Sequence, residues 1–286
     1  MRWHHCLTAA TVGLLAICPV GGQGRAQDAG LSAKLHPWGR FQPGAWKLVR
    51  VVTEALDDRA VVTTVSVTET KTSLVNVDKD GVTLEVEVGI EVAGKQFDGQ
   101  PQCIKQGFHG ELAGPDVQAH APSDGEVAIE GRKVPCRIQQ VESAGSSSKT
   151  VTHIYYTDAR APYVLKREST TTDADGKTVL GETTLEVLAL DMPHRVLSEL
   201  KNAAYVKTVQ KHAKGSVTTL ATTVADVPGG VVYHSSKELD NSGRVVRRST
   251  LELVSYGLQP EEERIGIFGR KRPARHRKTT IYGPAW

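Results

Sequence analysis

The stretch GVTLEVEVGIEVAG, residues 81–94, alternates apolar and polar side chains with almost no break. Val82, Leu84, Val86, Val88, Ile90 and Val92 fall on one face; Thr83, Glu85, Glu87 and Glu91 fall on the other. A helix, repeating about every 3.6 residues, would scatter these side chains around its axis. A strand gathers them on one buried side and leaves the other wet. The same period runs through WKLVRVVTE (46–54), KTVTHIYYTD (149–158) and RRSTLELVSY (247–256). Thr and Val dominate these segments, and their branched β-carbons suit a pleated surface. Only HRVLSELKN, residues 194–202, reads as a short helix. The expected fold is all-β: a large curved antiparallel sheet, a half-barrel or open barrel of repeated hairpins, with at most one or two short helices.

Two segments carry the spacing of a calcium-binding EF-hand loop, NVDKDGVTLEVE (76–87) and TTDADGKTVLGE (171–182). Their ninth positions are Leu84 and Val179, which supply no oxygen ligand, and their flanks alternate as strands rather than helices. Asp-x-Asp-Gly between strands is instead the chemistry of a tight turn: Asp accepts backbone N–H groups, and Gly takes a positive φ. Residues 161–190 and 227–256 repeat one frame, a proline, an Asp-x-x-Gly-Lys/Arg turn and a Thr-Leu-Glu strand. A fainter copy begins at Pro43. One hairpin buries too little to stand alone, so the copies are expected side by side in a single sheet.

The first 26 residues have the form of a secretory signal: Arg2, an apolar run, then small residues at Gly24 and Ala26. Cleavage after Ala26 would start the mature chain at Gln27 and place it in the periplasm or outside the cell. Loss of Arg2 and Arg25 lowers the formal charge from +3 to +1. Residues 27–37 read as a linker, 38–258 as the β domain and 259–286 as a flexible tail. That tail carries Arg270, Lys271, Arg272, Arg275, Arg277 and Lys278, a candidate contact for an anionic envelope component. The export signal argues against nucleic acid as the partner. No later apolar run is long enough to cross a membrane. Of the four cysteines, Cys103 and Cys136 survive processing, and in an oxidising compartment a disulfide between them is expected.

Catalysis finds no footing. Ser198 and Lys201 match S-x-x-K, but the companion triads of penicillin-recognising enzymes are absent. His109, Glu111 and His120 lie close in sequence without the spacing of a rigid metal motif. No catalytic residue, metal or cofactor is assigned.

An export signal followed by long amphipathic antiparallel strands over residues 38–258, with little helix, resembles the LolA-like proteins, half-barrel carriers that move lipoproteins across the periplasm. The resemblance is one of architecture, with no motif carried over. It implies a curved sheet around an apolar concavity that helices close as a lid. The candidate ligand face is then Val82, Leu84, Val86, Val88, Ile90 and Val92, left without a second sheet to cover it. The expected function is a non-catalytic binding or carrier protein for an apolar or lipid-like ligand. The alternative is a structural or interaction protein of the envelope, with the sheet as scaffold and the basic tail as contact.

Overall fold

The computed structural model describes residues 31–111 and 116–260. The signal segment and the basic tail lie outside the described residues. The first edge of the molecule and its middle are built from β1 (Trp46–Leu56), β2 (Val62–Asp78), β3 (Gly81–Val92), β4 (Lys95–Asp98) and β5 (Gln102–Gln106). The second edge carries β6 (Asp116–Ala119), β7 (Ser123–Ile129), β8 (Arg132–Ala144) and β9 (Ser148–Tyr156). Three long hairpins follow: β10 (Val164–Asp173) with β11 (Val179–Val196), β12 (Glu199–His212) with β13 (Gly215–Thr223), and β14 (Val231–Asp240) with β15 (Val245–Gly257). Among the described residues there is no α-helix, only a single 3-10 turn at Ala33–Leu35. No helix among the described residues is long and apolar enough to cross a membrane.

All strands join one antiparallel sheet in the order β4-β3-β2-β1-β15-β14-β13-β12-β11-β10-β9-β8-β6, with β5 also on β3 and β7 also on β8. The chain starts in the middle, walks out to β5, then crosses to the opposite edge and walks back until β15 lies beside β1. That crossing constrains the shape. Laid flat at about 4.8 Å per strand, the two edges would stand roughly 58 Å apart. The ten residues from Gln106 to Asp116 reach about 36 Å at most. The sheet must curl.

Phe108 shows how far. Its ring packs against the cluster of Leu74, Val82 and Leu84 on β2 and β3. It also packs against Val141, Ile154 and Tyr156 on β8 and β9. The same side chain therefore bridges both ends of an open barrel whose edges are not hydrogen-bonded to each other. The expected architecture, an all-β curved sheet, is the observed one.

Following the register across the sheet places Leu84, Leu74, Val49, Val51, Leu251, Val206, Val187, Arg167 and Ile154 on one inner face. This wall has two belts. The lower belt is mostly apolar and packs as Val49, Val51 and Leu251 on one side and Leu165, Val187 and Val206 on the other. The upper belt is hydroxyl-bearing, with cross-strand pairs Thr150–Thr171 at 2.9 Å, Thr152–Ser169 at 3.0 Å and Ser236–Ser249 at 2.8 Å.

The Asp-containing turns are built alike. Asp57 Oδ1 accepts from Val61 N at 2.9 Å, Asp173 Oδ1 from Lys177 N at 2.8 Å, and Asp240 Oδ1 from Arg244 N at 3.0 Å. Three residues after each Asp the backbone turns left-handed, at Ala60 (φ 59), Gly176 (φ 72) and Gly243 (φ 82). The first EF-like segment is likewise a hairpin turn, in which Asp78 Oδ1 accepts from Asp80 N at 2.8 Å.

Residues 194–202 are not a helix. They form the end of the β11–β12 hairpin, with Val196 opposite Glu199 across a two-residue turn and Leu197 at φ 53. Val196, Leu197 and Leu200 have helical spacing, yet Leu197 is 50% and Leu200 75% exposed, so a helix there would find no partner surface. Val196 and Ala203 are instead buried with Val224, Val227 and Val232.

Candidate functional site

Of the segment read as a linker, 27–37, the described residues 31–37 contribute to the core. Leu31 and His36 are each 5% exposed and Trp38 7%. Residues 31–45 form a strap across the lower mouth of the barrel: Leu31 and Leu35 pack on β8 and β9, while Trp38 and Phe41 pack on β2 and β3. His36 fixes the bend by accepting Trp38 N and Gly39 N on its Nδ1, both at 3.2 Å. Gly229 N donates to Pro37 O at 3.1 Å, and Gly44 N to Leu74 O at 2.8 Å. The strap thus occupies the place where helices were expected as a lid.

It also covers half of the expected ligand face. Val82 is fully buried and Leu84 7% exposed beneath Trp38 and Phe108, with Val86 packed against them. Val88, Ile90 and Val92 are half-buried farther up the strand. Beside them the inner wall carries Thr68 and Thr70 rather than hydrocarbon. The face does not offer one continuous apolar surface.

A cleft of about 780 Å³ opens on the other side of the strap, between it, β7–β8 and the loop after β9. Leu35, Val134, Pro135, Tyr156 and Tyr163 supply apolar and aromatic wall. Lys34, Arg137 and Arg160 bring positive charge, and Asp124 and Asp158 bring negative. Its size suits a drug-sized or single-chain ligand.

Behind Tyr163 lies a buried polar group. The Arg40 guanidinium sits 5.3 Å from the Tyr163 ring centre and 5.4 Å from that of Phe41. Arg167, on β10, donates through Nη2 to the carbonyl oxygen of His109 in the loop that follows β5. His109 Nδ1 lies 3.7 Å from Glu111 Oε1. That loop is closed on itself by Gly107 N to Glu111 O at 2.8 Å and Gly110 N to Gly107 O at 3.0 Å. Burial lowers the pKa of His36 to about 4; Glu111 opposes the shift, and Arg167 and Arg40 add to it. Burial also lowers the pKa of both guanidiniums, against the attraction of Glu111 for Arg167 and, for Arg40, the charge and hydrogen bond of Tyr163 and the charge of Asp226. Arg40 Nε, Arg167 Nε, His109 Nε2 and Glu111 Oε2 are buried without a hydrogen-bond partner.

The other residues singled out in the sequence stand apart. His120 Nε2 lies 3.5 Å from Glu142 Oε1, while His109 is beside Glu111. Ser198 is in the exposed β11–β12 turn, and Lys201 Nζ is held by Glu199 at 2.9 Å. Cys103 and Cys136 do not form the expected disulfide: both are free, Cys103 exposed on β5 and Cys136 buried on β8. These strands belong to opposite edges of the sheet and share no register. Sequence reasoning passed over the strap, although HPWGRFQPGAW gathers three aromatics in nine residues of a chain with 5% aromatics. It also passed over Arg167, one cation within an alternating strand.

No protein-family model matches the chain, and no curated protein matches it in sequence. Two solved structures overlap it. An exported protein with a YmcC-like fold from Bacteroides fragilis is 9% identical, covering 75% of this chain and 97% of its own, with a TM-score of 0.28. A lipoprotein from Parabacteroides distasonis is 10% identical, covering 81% of this chain and all of its own, also with a TM-score of 0.28. Neither overlap carries a functional argument.

Proposed function

We propose that this chain is an exported, non-catalytic binding protein of the cell envelope that holds an amphiphilic ligand in the cleft beside the strap. The observation that carries the reading is the cleft's mixed lining. Leu35, Val134, Pro135 and Tyr163 offer a surface for hydrocarbon, and Lys34, Arg137 and Arg160 stand around it for an anionic group. Ligand sites of this volume commonly combine a largely apolar wall with a few placed polar groups. Export rests on the signal-like pattern of residues 1–26. The absence of a catalytic motif in the sequence fits binding rather than turnover.

The test is displacement of a fluorescent fatty-acyl probe from folded, delipidated protein by an envelope lipid extract. Saturable binding, weakened by Arg160→Glu, supports the cleft; Arg160 is 52% exposed, so the change leaves the core alone. Binding no better than background removes the carrier reading, and the scaffold reading then replaces it.

A further inference from the structure

β1 and β2 bury side chains on the outside of the barrel. Val49 and Val51 belong to the inner wall, so Trp46, Leu48 and Arg50 alternate onto the outer face. The register sets Trp46 beside Ser73, Leu48 beside Lys71 and Arg50 beside Glu69. The outer face of an antiparallel sheet that packs on one side is ordinarily wet. Here Trp46 is 9% exposed, Leu48 5%, Lys71 8% and Glu69 2%. Neighbours within the sheet account for part of this. The Trp46 indole lies against Gly257 of β15, where a Cβ would collide with it. Lys71 Nζ sits 5.0 Å from the Trp46 ring centre, and Arg50 Nη2 reaches Glu69 Oε1 at 2.6 Å. Lateral neighbours do not roof a face, however. Among the described residues, no apolar core cluster includes Trp46 or Leu48.

We propose that the cover is this chain's own C-terminal segment, residues 261–286, laid back over the outer face of β1, β2 and β3. The first ground is where the described chain ends. β15 stops at Gly257, opposite Trp46, and Pro260 lies so close on Gly44 that a Cβ there would strike its ring. The segment therefore starts beside the face. The second ground is the order of its residues. Ile265, Ile267 and Phe268 come first and suit Trp46 and Leu48; Arg270, Lys271, Arg272, Arg275, Arg277 and Lys278 follow. The face has the same order of partners. Two strands beyond Trp46 and Leu48, about 10 Å away, β3 sets Glu85 and Glu87 in the same rows, with Glu91 farther along. Residues 261–270 extend to about 35 Å, so the cations reach these acids with chain to spare. Opposite charge then fixes the outer end as hydrocarbon fixes the inner one. The surface shares no residue with the cleft, and the inference stands whether or not the cleft binds a ligand.

The experiment uses the full mature chain carrying Trp286→Phe, which leaves Trp38 and Trp46 as its tryptophans. A zero-length carbodiimide joins amines to carboxylates in contact. Digestion and mass spectrometry should recover Lys271 or Lys278 joined to Glu85, Glu87 or Glu91 in monomeric product, and both tryptophans should resist acrylamide quenching. Arg270→Glu, Arg272→Glu and Arg275→Glu, made together, keep both lysines and touch no strand. This variant should lose the cross-link and become severalfold more quenchable. Adding Glu85→Lys and Glu87→Lys to it should restore the protection. Cross-links found only in covalent dimers overturn the inference in favour of a second copy's segment. Absence of the cross-link overturns it outright, as does quenching that the triple variant leaves unchanged.

Discussion

Arg167 on β10 donates a hydrogen bond to the carbonyl oxygen of His109, 58 residues away in the loop that leaves β5. This bond ties one half of the sheet to the loop that crosses from the other edge. Together with Phe108 and the strap, it does at the seam what a ladder of backbone hydrogen bonds does elsewhere in the barrel. The seam is held by side chains, so its stability should answer to side-chain chemistry.

His36 gives the first expectation. Its folded pKa of about 4 lies below the ordinary imidazole value of 6.5, chiefly through burial. Between those values the unfolded chain binds a proton that the folded chain refuses. Stability from this group is therefore complete above pH 6.5 and is lost as pH falls toward 4, by up to about 3 kcal/mol. His36→Asn keeps an acceptor for Trp38 N and Gly39 N without the titration. Urea midpoints across pH 4–7 should fall less steeply for the variant than for the wild type.

Lys47 works in the same direction at higher pH. Burial lowers its pKa from 10.5 to about 8, with its ammonium 5.7 Å from the Trp38 ring and 3.5 Å from Val231 O. The unfolded chain holds the proton more tightly, so stability rises from pH 8 toward 10.5. Lys47→Met removes the buried charge and should stabilise the protein at pH 7 by about 1–3 kcal/mol. Thermal melts should show the gain shrinking as pH approaches 10.

The cysteines should behave as two thiols. Without reductant, a thiol reagent should titrate two per mature chain, Cys103 quickly and Cys136 slowly. Cys103 is exposed; Cys136 is buried, and burial together with Glu126 raises its pKa. A single slow phase, or no free thiol, would contradict the separation of β5 from β8.

Within the two belts, substitutions should divide by height. Leu165, fully buried in the lower belt, should lose about 2–5 kcal/mol on truncation to Ala. On β3, Val82→Thr places a hydroxyl under Trp38 and should cost about 1–3 kcal/mol. Val92→Thr, half-buried at the upper end, should be nearly neutral. Denaturant unfolding of the three variants reads all of this directly.

What the sequence determined by itself is local and periodic. The alternation at Val82–Val92 fixed a strand and its inner face, because a slip of one residue would expose every valine. Asp173 with Gly176 and Asp240 with Gly243 fixed turns, because the carboxylate and the positive φ act within five residues. The helix expected at 194–202 failed for the same reason in reverse: spacing within nine residues does not say whether a neighbour exists to bury it, and Leu200 has none. Tertiary structure alone decided how the two edges meet. Nothing near Arg167 in the chain announces that it binds the carbonyl oxygen of His109, since the two stand on β10 and in the loop after β5 and are brought together only by the curl of the sheet. The pairing of Cys103 and Cys136 was lost to the same geometry, which sends consecutive strands β5 and β6 to opposite edges. Contacts across a barrel depend on which strands are neighbours, and that order is set by the packing of the whole sheet around the strap.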